Sequence, residues 1–105
     1  MIVVDQNHSG QAIDLSVGQV FELRLAENPT TGYRWTFVHD GAPVCVVISD
    51  RLERQSPGSP GQGGTHSWQI KGAATGEADI TMQYSRSFQP DAVTNSFALH
   101  VRVTP

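Results

Sequence analysis

The sequence predicts an all-β fold, a sandwich of about seven to eight short strands. Valine occurs eleven times and leucine five times in the 105 residues, and valine's branched Cβ suits a pleated surface better than a helix. Apolar residues recur with period two along most of the chain, and no segment holds a helical period. The alternating runs are short and separated by turns, the pattern of two packed sheets.

The first two strands are expected near residues 2 to 4 and 12 to 15. Near 19 to 26, Phe21, Leu23 and Leu25 share one face against Val20, Glu22 and Arg24. Near 33 to 39, Tyr33, Trp35 and Phe37 oppose Arg34, Thr36 and Val38. The segment near 44 to 49 is apolar on both faces, with Val44, Cys45, Val46, Val47 and Ile48 in succession. Near 65 to 71, His66, Trp68 and Ile70 alternate with Ser67, Gln69 and Lys71. Near 77 to 86, Ala78, Ile80, Met82 and Tyr84 oppose Glu77, Asp79, Thr81, Gln83 and Ser85. The last strand, near 95 to 103, sets Phe97, Leu99, Val101 and Val103 against Ala98, His100 and Arg102. Trp35 reads as the buried tryptophan of an early central strand, as in an immunoglobulin-like β-sandwich, although a single cysteine excludes the inter-sheet disulfide of such domains. Residues 56–64, SPGSPGQGG, are too polar to enter a core.

Composition removes several classes of function. With 38% apolar and 16% charged residues, the chain is expected to be one domain spanning 1–105. Seven basic residues against ten acidic give a net charge of −3, and Lys71 is the only lysine, so there is no basic stripe and nucleic acid is not an expected partner. The longest apolar run, Val44 to Ile48, is far short of the roughly 20 residues of a spanning helix, and no membrane partner is expected. No basic patch followed by an early apolar stretch marks a leader, so Met1 reads as a cytosolic start or as a mature form given a new methionine. The expected state is a monomer.

An enzyme is not expected either. Cys45 could in principle serve as a nucleophile, but its apolar surroundings are those of a small buried hydrophobe with a raised pKa. His8, His39, His66 and His100 form no HxH, HxxH or HExxH unit, so no metal site is read. The glycine-rich stretch lacks the Gly-Lys-Ser/Thr ending of a phosphate loop and leads into a strand. No catalytic residue, metal or cofactor is therefore assigned.

Asn28-Pro29-Thr30-Thr31-Gly32-Tyr33 lies between two alternating strands. Pro29 fixes its own φ and pushes Asn28 toward an extended form, while Gly32 can take a positive φ, which describes a stiff exposed tip. The run Asn28-Pro29-Thr30-Thr31-Gly32-Tyr33-Arg34-Trp35 resembles the signature NPTTG(Y/F)xW of the chagasin family, small immunoglobulin-like inhibitors of papain-type cysteine peptidases. Gly61-Gln62-Gly63-Gly64-Thr65-His66 resembles the family's second signature, a GxGGT loop entering a strand. Ala73-Ala74-Thr75-Gly76 with Tyr84-Ser85-Arg86-Ser87-Phe88 resembles the segment ending in the third, usually Arg-Pro-Trp or Arg-Pro-Phe. Ser87 departs from the family's proline.

The resemblance implies a sandwich with three binding loops at one end, which occlude the cleft of a papain-like cysteine peptidase. Its implied peptidase-binding residues are Asn28, Pro29, Thr30, Thr31, Gly32 and Tyr33 in the first loop, Gly61, Gly63 and Gly64 in the second, and Arg86 and Phe88 in the third. Thr31 would sit nearest the enzyme's catalytic cysteine and histidine, the glycine-rich loop along the non-primed side, and Arg86 and Phe88 on the other rim. Inhibition would be reversible, tight and non-covalent. The alternative is an immunoglobulin-like interaction or adhesion module that uses the same loops on another partner.

Overall fold

The computed structural model describes residues 2–28, 32–54, 64–86 and 93–105. Eight strands run through these residues: β1 (Ile2–Val4), β2 (Gln11–Ser16), β3 (Val20–Glu27), β4 (Tyr33–Asp40), β5 (Cys45–Arg54), β6 (Gly64–Gly72), β7 (Gly76–Arg86) and β8 (Asn95–Thr104). They form two four-stranded sheets, β1-β3-β6-β5 and β2-β8-β7-β4, the immunoglobulin-like sandwich that the alternation implies. Most pairings are antiparallel, but β1 runs parallel to β3 and β2 parallel to β8. A 3-10 turn, Gln6–His8, carries the chain from the first sheet to the second. Asp5 starts that turn by accepting the Asn7 N–H (2.9 Å), and Gly10 N–H fastens its exit to the Ala98 carbonyl (2.7 Å).

The two inner faces meet in one apolar layer. Phe21, Leu23 and Leu25 of β3 and Trp68 and Ile70 of β6 are buried from one sheet, with Ile80 and Met82 of β7 and Phe97, Leu99, Val101 and Val103 of β8 from the other. Each such side chain contributes about 1.5–3 kcal/mol by leaving water, and all lie on the face assigned by the period-two pattern.

Two details differ from expectation. β5 continues to Arg54 because a bulge between Val47 and Ser49 shifts its register on β6, after which Asp50 pairs with Trp68 and Leu52 with His66. As a sheet edge, its second half stays exposed and carries no alternating signal. Trp35 is buried, at 7% exposure, yet β4 is an edge strand and not a central one. Its indole reaches across to the other sheet, donating Nε1–H to the Ala26 carbonyl of β3 (2.9 Å). The buried tryptophan of an interior strand is Trp68. β4 also carries a bulge, between Phe37 and His39.

At the end formed by residues 41–44 and 73–75, Gly41 has φ +86°, and a Cβ there would lie 3.0 Å from the Cys45 Cβ. Among the described residues, no helix is long and apolar enough to cross a membrane.

On the outer face of β7 and β8, His100 bridges two carboxylates, with Nδ1 2.8 Å from Asp79 Oδ1 and Nε2 2.9 Å from Glu77 Oε1. These contacts, Asp79 first and then Glu77, raise the His100 pKa above its ordinary 6.5. The same hydrogen bond, followed by the charge of Arg102, lowers that of Glu77 below 4.5. A raised histidine stabilises the fold fully below its unfolded pKa, and the contribution disappears as pH rises through the folded value; a lowered carboxylate loses its contribution as pH falls. The melting-temperature advantage of the native protein over His100→Gln is therefore expected to be largest at about pH 5.5 and to shrink above about pH 7. Thermal unfolding of both proteins across this range checks the sign.

Candidate functional site

The strand registers bring three connections to one end. Glu27, the last residue of β3, pairs with Gly64, the first of β6, which pairs in turn with Arg54, the last of β5. In the other sheet Tyr33 at the start of β4 pairs with Arg86 at the end of β7, and Tyr84 pairs with Asn95 at the start of β8. The chain between β3 and β4, between β5 and β6, and between β7 and β8 thus leaves and returns at the same end.

Polar contacts tie the two sheets together there. Glu27 continues the inward face of Phe21, Leu23 and Leu25 and is only 4% exposed. Its Oε1 accepts the Trp35 backbone N–H (2.8 Å), and its Oε2 lies 3.0 Å from His66 Nδ1. His66 Nε2 reaches Asp50 Oδ2 at 2.8 Å. The Asn28 N–H donates to the Tyr84 hydroxyl across the sheets (2.8 Å). One carboxylate and one phenol therefore hold both sides of the first connection.

Above these bonds stands a column of rings. Tyr84 packs on Trp35 (5.0 Å between centroids) and on Tyr33 (5.4 Å), and the Arg86 guanidinium lies over the Tyr33 ring (4.9 Å). Such cation–π and offset ring contacts are each worth about 0.5–1.5 kcal/mol, and they give Arg86 and Tyr33 a shared position. A shallow depression of about 470 Å³ opens between the sheets, lined by Glu27, Asn28, Trp35, Gly64, Thr65 and Tyr84 among others. A hollow of about 510 Å³ at the opposite end, lined by the 41–44 turn, Glu77 and Asp79, lies away from all three connections.

Of the residues expected to bind a peptidase, Asn28, Gly32, Tyr33, Gly64 and Arg86 are gathered at this end. Gly32 has the positive φ expected of it, +80°. Gly64 is different: it is a buried strand residue paired on both sides, with Glu27 and with Arg54. Pro29, Thr30, Thr31, Gly61, Gly63, Ser87 and Phe88 lie outside the described residues.

Glu27 was not singled out by the sequence reading, although the period-two face of β3 reaches it one step beyond Leu25. A carboxylate at an inward position demands partners, and that demand is the signal for it. Asp50 lies past the β5 bulge, where the alternation no longer reports a face.

Among the described residues the one cysteine is not at this end. Cys45 is buried near the other end, and burial, followed by the charge of Asp40, raises its pKa. Among the described residues no group of three or more His, Cys, Asp and Glu side chains is arranged to hold a metal ion.

A family model described as chagasin family peptidase inhibitor I42 matches residues 14–101. The chain is 32% identical over 102 residues to amoebiasin-1 of Entamoeba histolytica, covering 93% of this chain and 95% of that protein. Among solved structures it is similar to the cysteine protease inhibitor EhICP2 from Entamoeba histolytica, with a TM-score of 0.88 at 20% identity over 98% of this chain and 95% of the other. It is also similar to PbICP-C, solved in complex with falcipain-2, with a TM-score of 0.67 at 22% identity over 97% and 89%.

Two outcomes are expected from this geometry. Tyr84→Phe keeps the ring column but removes the acceptor of the Asn28 N–H, and should cost about 0.5–1.5 kcal/mol in urea unfolding. Cys45 should remain unmodified by an aromatic disulfide reagent in the native protein and release one equivalent of chromophore only after denaturation.

Proposed function

The chain belongs to the chagasin family of peptidase inhibitors, and from that premise we propose that it is a reversible, non-covalent, tight-binding inhibitor of papain-family cysteine peptidases. The observation that carries this reading is the convergence of three connections at one end of the sandwich, anchored by Glu27, His66 and Tyr84. The segment from Asn28 through Pro29, Thr30, Thr31 and Gly32 to Tyr33 enters the cleft. The segment containing Gly61, Gly63 and Gly64 lies along the non-primed side, and Arg86 with Phe88 meets the opposite rim.

Inhibition of this kind needs no reactive group on the inhibitor. Strand ends fixed by a bonded framework limit the entropy lost on docking, which is the usual source of tight inhibitor affinity. A threonine at the tip and glycines beside it permit close approach of backbone to the enzyme, in the manner of an extended peptide. An interface on the order of 1,600 Å² in total suffices. Arg86 is already stacked on Tyr33, so its charge is delivered to the rim with part of the ordering cost met in the free protein.

Titration against papain, a cathepsin L-like and a cathepsin B-like enzyme, with trypsin as control, tests the reading. At least one cysteine peptidase should be inhibited with a constant near or below the nanomolar range, about −12 kcal/mol, and trypsin should be unaffected. No inhibition at micromolar concentration would favour an adhesion module. Thr31→Asp should weaken inhibition by about 2–5 kcal/mol by placing an unpaired carboxylate in the tightest part of the interface. Its melting temperature should stay near the native value; unchanged inhibition would show that the first connection does not enter the cleft.

A further inference from the structure

β5 leaves one side of its backbone without a neighbouring strand, since it closes its sheet in the order β1-β3-β6-β5. Beyond the bulge between Val47 and Ser49, the residues Asp50, Arg51, Leu52, Glu53 and Arg54 keep an unbroken register on β6, from Asp50 opposite Trp68 to Arg54 opposite Gly64. Their charges run minus, plus, neutral, minus, plus. Such an order is its own complement when read backwards. Two of these segments laid antiparallel, with Leu52 facing Leu52, set Arg51 against Glu53 and Asp50 against Arg54 on both sides of the centre.

The charges select this register over its neighbours. Centring the pair one residue earlier opposes Arg51 to Arg51, and one residue later Glu53 to Glu53; like charges directly opposite destabilise a strand pair. Arg51 and Glu53 share the outer face with Ser67 and Thr65, their partners on β6, and Arg51 already lies against Glu53 of its own strand. Pairing therefore gathers two arginines and two glutamates into one alternating cluster. Leu52, 37% exposed in the single chain, leaves water at the centre. A pattern of this kind turns away a strand of unrelated sequence and accepts a second copy of itself.

We propose that the protein self-associates through residues 50–54 of β5 into a two-fold symmetric dimer, in equilibrium with the monomer. A contact of this symmetry closes on itself and adds no third chain. So short a pairing falls in the transient size class, below about 1,200 Å², and the dimer forms and separates with concentration. One consequence rests on the inhibitor reading. Arg54, the last residue of β5, faces Asp50 of the copy, whose strand extends back to Cys45 and so reaches about 15 Å past the end where the three connections meet. A peptidase covering about 800 Å² of that end meets this projection, and dimer and peptidase complex exclude each other.

Sedimentation velocity from about 10 μM to about 1 mM tests the dimer with the native protein, Arg51→Glu, Glu53→Arg and the double variant. The two side chains are 70% and 44% exposed, so all variants should fold, and melting temperatures check this. The native protein should pass from monomer to dimer across the range. Each single substitution opposes like charges twice, by symmetry, and should raise the dimer dissociation constant at least about tenfold. The double variant regains complementarity and should dimerise again, and an equimolar mixture of the two single variants should form a mixed dimer. A native protein still monomeric at the top of the range, single variants that dimerise as well as the native protein, or a double variant that stays monomeric overturns the proposal and leaves the inhibitor reading in place. Papain with a capped active-site thiol, added to the native dimer, should give one-to-one complexes; a complex of two inhibitors with two enzymes overturns the exclusion. No complex at all overturns the inhibitor reading and the exclusion with it, while the dimer stands on the sedimentation of the protein alone.

Discussion

A single buried carboxylate organises the end of this sandwich where three connections meet. An ionised Glu27 without partners would cost several kcal/mol, so its burial requires the Trp35 amide on one oxygen and the His66 ring on the other. Those two partners lie on different sheets. The demand for satisfaction therefore ties the two sheets together at the end where the three connections meet. Below it the sandwich is held by shape and exclusion of water; at its rim, by directional bonds that permit little sliding.

This division suits a surface that must present chain segments to another protein. Apolar packing tolerates small displacements, whereas hydrogen bonds weaken steeply when their geometry changes. Placing the directional contacts at the strand ends, with the ring column of Trp35, Tyr84 and Tyr33 beside them, gives the three connections a common and stiff base. The Asn28 N–H bond to Tyr84 extends this base one residue beyond the last strand pairing of β3.

Most of the architecture was legible in the order of residues, because period two is unambiguous wherever a strand has one buried face. Phe97, Leu99, Val101 and Val103 in β8, or Phe21, Leu23 and Leu25 in β3, leave no other arrangement. The reading failed where that condition failed. β5 resets its register at a bulge and faces solvent beyond it. Trp35 mimics a central residue because, from an edge strand, it reaches the interior strand β3 of the other sheet. The short motifs around Asn28, Gly64 and Arg86 fall at the end where the three connections meet, whereas the internal support of that end was not legible, since the pairing of Glu27 with His66 spans 39 positions and no local pattern encodes it.

The irregularities of β4 and β5, two of the four edge strands, also bear on how the protein behaves in a crowd. β4 and β5 leave one side of their backbones unpaired, and β5 shows Val46, Ile48 and Leu52 to solvent, the ingredients of a template on which further chains could add. Both of these strands are interrupted by a bulge, between Phe37 and His39 in β4 and between Val47 and Ser49 in β5. A bulge twists the strand and breaks the even ladder that an incoming strand would need. Asp50, Arg51 and Glu53 further place charge along the longer edge. On these two flanks, bulge and charge together work against the addition of a further strand of unrelated sequence.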